Sequence, residues 1–83
     1  LSKNQRVQIR KLMREMRKQH LTLMDEMMDK QDGLAELFAE TPRNAEKIGK
    51  VYGELFDMKR KMIEQRVRLS NDIDALLTKV LFG

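Results

Sequence analysis

The single histidine of the chain lies between two methionines that could act with it as metal ligands. Met16 stands four residues before His20, and Met24 stands four residues after it, so the three share one side of a helix. Imidazole with thioether sulfur favours soft ions such as Cu(I) or Ag(I) over Zn(II). A tetrahedral zinc site needs further histidine or cysteine ligands, and the sequence has neither. We expect a buried or interface histidine, with metal binding by His20, Met16 and Met24 as the alternative.

No other arrangement of residues predicts chemistry. The sequence has no evident nucleophile with a neighbouring base and no glycine-rich phosphate loop. We therefore expect a protein that is not an enzyme and has no cofactor. The basic run Lys59-Arg60-Lys61 has no aromatic residues between its cations. A solvated helix face is expected there, and no nucleic-acid partner.

The spacing of apolar residues predicts an all-α fold of two long helices. A 3.5-residue period, typical of a coiled-coil-like seam, runs through both halves of the chain. We expect a single domain over 1–83, with helix one at about 3–39 and helix two at about 42–78. The predicted seam of helix one is Ile9, Met13, Met16, His20, Leu23, Met27, Lys30, Leu34 and Leu37, and that of helix two is Ile48, Val51, Leu55, Met58, Met62, Leu69, Ile73, Leu76 and Val80.

Glycine and proline predict where these helices are interrupted. Asp32-Gly33 predicts a kink or break in helix one, because glycine is less favourable than alanine in a helix by about 1 kcal/mol. Thr41 is expected to cap helix two, with Pro42 at its first position, where the missing N–H costs nothing. Since a short connection makes long helices antiparallel neighbours, residue i should face approximately residue 84−i.

Size and charge predict self-association of an electrically polar rod. A two-helix hairpin of 83 residues buries little apolar surface by itself, so a homodimer is expected. The net charge of +4 is uneven: 1–20 has seven Lys or Arg against one Glu, whereas 21–41 has one Lys against six acids. No apolar stretch approaches the ~18 residues of a membrane span.

The first residues contain a helix-capping motif. Leu1-Ser2-Lys3-Asn4-Gln5 places a hydroxyl three residues before a glutamine, which predicts reciprocal hydrogen bonds between Ser2 and Gln5. A partial copy, Leu77-Thr78, stands near the other end. With two long amphipathic helices, this motif resembles the Leu-Thr-x-x-Gln signature of the Spy/CpxP family of periplasmic stress proteins, which includes zinc-resistance-associated and heavy-metal-resistance relatives.

The resemblance implies a periplasmic homodimer that holds unfolded client proteins without ATP, or that acts as an adaptor of an envelope-stress sensor. It also implies a secretion signal or membrane anchor outside this stretch. The alternative that it implies is a metal-binding or metal-sensing resistance protein, with Zn, Cu or Ag as the ion. On the chaperone hypothesis, the client-binding residues are Arg10, Arg14, Arg17, Met24, Met28, Arg66 and Arg68. Among the seven methionines, Met13, Met16, Met27, Met58 and Met62 are expected to pack in the core.

Overall fold

The computed structural model is an antiparallel hairpin of two long α-helices. Helix α1 spans Lys3–Ala39 and helix α2 spans Ala45–Phe82. The structure describes the backbone of residues 1–82 and the side chains of residues 1–79, which leaves the predicted seam position Val80 outside the described side chains. The Cα positions extend over 63 × 17 × 8 Å. Neither helix has a stretch apolar and long enough to cross a membrane.

The predicted capping box forms at the start of α1. Ser2 Oγ accepts a hydrogen bond from the backbone N–H of Gln5 at 3.2 Å, and Gln5 Oε1 accepts one from the N–H of Ser2 at 2.8 Å. Two N–H groups that would otherwise lack partners are thereby satisfied. A cap of this kind typically stabilises a helix by about 1 kcal/mol. It fixes the first helical residue at Lys3.

The predicted start of α2 at Pro42 is wrong, because the helix begins three residues later. Asn44 Oδ1 accepts the N–H of Lys47 at 3.1 Å, and Asn44 O accepts the N–H of Ile48 at 3.1 Å. Asparagine is among the strongest N-cap residues, so Asn44 and not Thr41 caps the helix. Arg43 Nε donates to the carbonyl oxygen of Phe38 at 2.9 Å, which ties the connection to the last turn of α1.

Two other expected boundaries differ in the structure. Helix α1 is continuous through Gly33, so the break expected there is absent. The next residue, Leu34, is buried, and its burial offsets the roughly 1 kcal/mol cost of a glycine. Helix α2 continues past Thr78, whose Oγ1 donates to the carbonyl oxygen of Asp74 at 2.8 Å. Thr78 is therefore a residue within the helix, and its hydroxyl is used by the preceding turn.

The seam between the helices follows the predicted period with one exception. Leu34 and Leu55 are buried at its centre, and the flanking seam residues are half-buried. Towards the open end Met13 is 51% exposed, whereas Leu12 is half-buried. The expectation that Met13 packs in the core is wrong here, because an α-helix drifts from a strict 3.5-residue repeat and brings the preceding residue inward. The other half-buried seam residues are Ile9, Met16, His20, Leu23, Met27, Lys30, Leu37, Ile48, Val51, Met58, Met62, Gln65, Leu69, Ile73 and Leu76.

One cross-helix ion pair reports the register. Lys30 Nζ donates to Glu54 Oε2, and the two residue numbers add to 84, as the antiparallel prediction requires. The hydrogen bond and the charge of Lys30 lower the pKa of the Glu54 carboxyl from its usual value. The predicted pairing of residue i with residue 84−i is confirmed at this position.

We predict that Leu55→Ala unfolds or strongly destabilises the hairpin, because removing a buried leucine side chain costs about 2–5 kcal/mol. Val67→Ala on the same helix is the control, since Val67 is 53% exposed and such surface changes stay within about 0.5 kcal/mol. Urea unfolding followed by circular dichroism at 222 nm measures both. Equal midpoints for the two variants would contradict the seam.

Candidate functional site

The antiparallel register divides the surface of the hairpin into two unlike faces. Along α1 and α2, residues that directly follow a seam position lie on one side of the seam. Because the helices run in opposite directions, these positions fall on the same side of the hairpin in both. Residues that directly precede a seam position lie on the other side. Gln19 and Arg68 are two of these, and both line one groove of about 370 Å³.

The first face combines apolar and basic residues. Three carboxylates also lie on this side: Asp74 directly follows the seam residue Ile73, and Asp25 and Asp32 stand five helical turns after Val7 and Arg14. We call the apolar, basic and uncharged residues of this side the acid-free face, a set that leaves out these three carboxylates. Its members on α1 are Lys3, Val7, Arg10, Arg14, Arg17, Leu21, Met24, Met28, Gln31, Ala35 and Phe38; those on α2 are Ala45, Gly49, Tyr52, Phe56, Lys59, Ile63, Arg66, Ser70 and Leu77.

The opposite face is polar and carries many of the acids. Its acidic residues include Glu15, Glu26, Asp29, Glu36, Glu54, Asp57 and Glu64, alongside the bases Lys47, Lys50, Lys61 and Arg68. Two ion pairs converge there, since Glu64 accepts from Arg60 at 2.7 Å and from Arg68 at 3.3 Å. A groove of about 650 Å³ also opens on this side, between Leu12 and Leu76. We call this surface the polar face.

Large apolar side chains are exposed mainly on the acid-free face. Phe56 is 67% exposed, and its ring centroid lies 6.3 Å from that of Tyr52. Exposed apolar patches of this kind mark interaction surfaces in soluble proteins. The other exposed apolar members of the face are Val7, Leu21, Met24, Met28, Phe38, Ile63 and Leu77.

Charge and apolar character separate along the acid-free face. The open half of the face, formed by 3–17 of α1 and 66–77 of α2, holds five of its six cations, and Lys59 is the sixth. The turn half, formed by 21–38 and 45–63, holds both phenylalanines and the tyrosine. Arg17 and Arg66 occupy facing positions across the seam. Neither makes an ion pair or a side-chain hydrogen bond within the described part of the chain.

The structure brings most of the sequence-predicted client-binding residues to this face. Arg68 is the exception, because it lies on the polar face and pairs with Glu64. Sequence reasoning missed the aromatic members and Ile63. Each of them directly follows a seam residue, so aligning the two seams would have located them. The predicted residues on the acid-free face are Arg10, Arg14, Arg17, Met24, Met28 and Arg66.

The three alternative metal ligands lie in two different environments. Met16 and His20 are half-buried in the seam, and Met24 is exposed at its edge on the acid-free face. No cluster of three or more His, Asp or Glu side chains suitable for a metal ion occurs within the described residues. Gln65 is the seam residue that faces His20 in the register, and its buried Oε1 has no hydrogen-bond partner. His20 and Gln65 are thus two half-buried polar residues of the otherwise largely apolar seam.

Comparison of the chain with protein-family models, with curated proteins and with solved structures finds no match.

We predict that an anionic naphthalene sulfonate dye binds the acid-free face, because the dye needs both apolar contact and a nearby positive charge. Phe56→Ser should lower the dye fluorescence by at least about half, because the Phe56 ring supplies a large part of the exposed apolar area on this part of the face. Ala75→Ser, which changes an exposed residue of the same helix in the groove of the polar face, should change it little. Equal losses in the two variants would contradict a localised site.

Proposed function

We propose that this chain is an ATP-independent chaperone that holds unfolded proteins on the acid-free face. The observation that carries the proposal is the coincidence, on one side of the hairpin, of exposed apolar side chains and arginines that make no ion pair within the described residues. Unfolded chains expose apolar side chains that a native protein buries. An exposed apolar surface of this kind offers them contact without requiring a defined pocket.

The chemistry of the face suits weak and varied clients. Met24 and Met28 are exposed, and methionine adapts its flexible, polarizable side chain to apolar partners of different shape. The arginines of the open half add long-range attraction for acidic segments, which raises the rate of encounter. Holding by such contacts needs no nucleotide.

A homodimer is part of the proposal, with the turn half of the acid-free face as its contact. Only Leu34 and Leu55 are buried in the described monomer, so the hairpin gains stability from any partner that covers apolar surface. Complete overlap of two acid-free faces would bring arginines against arginines. Overlap of the turn halves alone covers Tyr52 and Phe56 and leaves the basic open halves at the two ends.

The compartment and the adaptor role rest on the resemblance to periplasmic stress proteins. We place the protein in the periplasm of a Gram-negative bacterium, where a chaperone must work without ATP. Action as an adaptor of an envelope-stress sensor would use the same face. No observation on the described residues favours the metal-responsive alternative over client binding.

The proposal predicts that reversing one charge on the acid-free face weakens chaperone activity. Arg14→Glu should reduce suppression of aggregation of an acidic, reduced model client severalfold, because it places a carboxylate among Arg10, Arg17 and Arg66. Light scattering at equimolar dimer and client measures the effect. Arg68→Glu makes the same charge change on the polar face and should keep most of the activity.

Two outcomes would contradict the proposal. Wild-type protein that fails to suppress aggregation at equimolar ratio would exclude holding activity towards that client class. Equal losses for Arg14→Glu and Arg68→Glu would show that net charge matters and that the acid-free face does not. Circular dichroism of both variants verifies that the helices remain intact.

A further inference from the structure

The open half of the acid-free face carries a dense group of cations. Lys3, Arg10, Arg14 and Arg17 lie on one side of α1 within fifteen residues, a length of ~21 Å at a rise of 1.5 Å per residue. Arg66 joins them from α2, at the position facing Arg17, and one carboxylate on this side, Asp74, lies in the same half. None of the five makes an ion pair within the described residues, so their charge is available to a partner.

Exposed apolar side chains are interleaved with these cations. Val7 is 52% exposed between Lys3 and Arg10, and on α2 Ile63 is 52% exposed beside Arg66. Leu77 is also exposed, near the open end. A surface that presents cations and aliphatic side chains in one plane is typical of proteins that lie at the membrane interface.

We propose that this open half binds the surface of a lipid bilayer that contains anionic lipids. The five cations would contact lipid phosphates, and Val7, Ile63 and Leu77 would enter the boundary between headgroups and acyl chains. Clusters of four or more Lys or Arg on an amphipathic surface attract anionic lipids, and each basic residue multiplies the affinity severalfold. The straight hairpin, 63 Å long and 8 Å in its thinnest Cα dimension, can lie flat on such a surface.

The aliphatic residues favour a bilayer over a soluble polyanion. A nucleic acid or an acidic peptide would satisfy the arginines, but a nucleic acid would leave Val7, Ile63 and Leu77 in water. This half of the face also lacks the aromatic side chains on which bases stack. The inference goes beyond the proposed chaperone function, since lipid and client would compete for one surface and each can be measured without the other.

Vesicle co-sedimentation tests the inference directly. Wild-type protein should bind vesicles of phosphatidylglycerol mixed with phosphatidylcholine and should not bind vesicles of phosphatidylcholine alone. Arg14→Glu should weaken binding to the anionic vesicles by about tenfold or more, since it removes one attractive charge and adds a repulsive one. Arg68→Glu, the same change on the polar face, should weaken it by less than about threefold, because its charge points away from the bilayer.

The aliphatic contribution has its own variant. Val7→Ser should weaken binding several-fold without changing the charge, because it removes apolar surface that enters the boundary. Ala75→Ser, in the groove of the polar face, should have no effect. If Arg14→Glu fails to fold by circular dichroism, the Val7→Ser and Ala75→Ser pair decides the question.

Several results would overturn the inference. These are no binding to anionic vesicles, equal losses for Arg14→Glu and Arg68→Glu, or equal affinity of Val7→Ser and wild type. Binding to a soluble acidic peptide with no binding to vesicles would also overturn it. The aggregation assay is run without lipid. A failure to bind lipid therefore does not affect the chaperone proposal, which is decided by the aggregation assay alone.

Discussion

The antiparallel register of the two helices is the constraint on which the rest of the molecule depends. Asn44, the last residue of the five-residue connection 40–44, caps α2, and Arg43 ties that connection to the end of α1. The helices then meet with Leu34 and Leu55 buried and with Lys30 bonded to Glu54. A slip of one residue would rotate each seam by about 100° and would mix the two faces. With the register kept, the apolar and basic residues of both helices share one side.

This arrangement buries few apolar side chains within the isolated chain and leaves an apolar and basic surface exposed. A side chain such as Phe56, 67% exposed, contributes almost nothing to burial within the hairpin. Many of the carboxylates stand on the polar face, where Glu64 pairs with Arg60 and Arg68. Contact with unfolded protein, a second copy or an anionic bilayer would therefore bury apolar area of this face or pair its charges. The turn half suits an apolar partner, and the open half suits an anionic one.

Local and periodic features could be predicted from the sequence. The outcome could not be predicted where two neighbouring residues both favour a helix start, or where a glycine competes with tertiary packing. The Ser2–Gln5 capping box and the seam period depend on few residues, and both appear as expected. Pro42 and Asn44 offer rival starts for α2, and only the folded connection selects Asn44. Gly33 weakens α1 locally, but the burial of Leu34 beside it depends on the partner helix. The acid-free face can be located only by combining the two seams. The sequence alone therefore groups Arg66 and Arg68 as client-binding residues, although the structure places them on opposite faces.

The distance between spin labels attached at residues 19 and 68 tests the register most directly. Both positions are exposed and line the same groove, and the chain has no cysteine to interfere with labelling. Dilution with unlabelled protein restricts the measurement to pairs within one chain. The hairpin predicts a distance of about 20 Å, from an interaxial separation of 8–10 Å plus the two labels. A distance near 70 Å, expected for ~49 residues of one extended helix, would contradict the fold and with it the acid-free face.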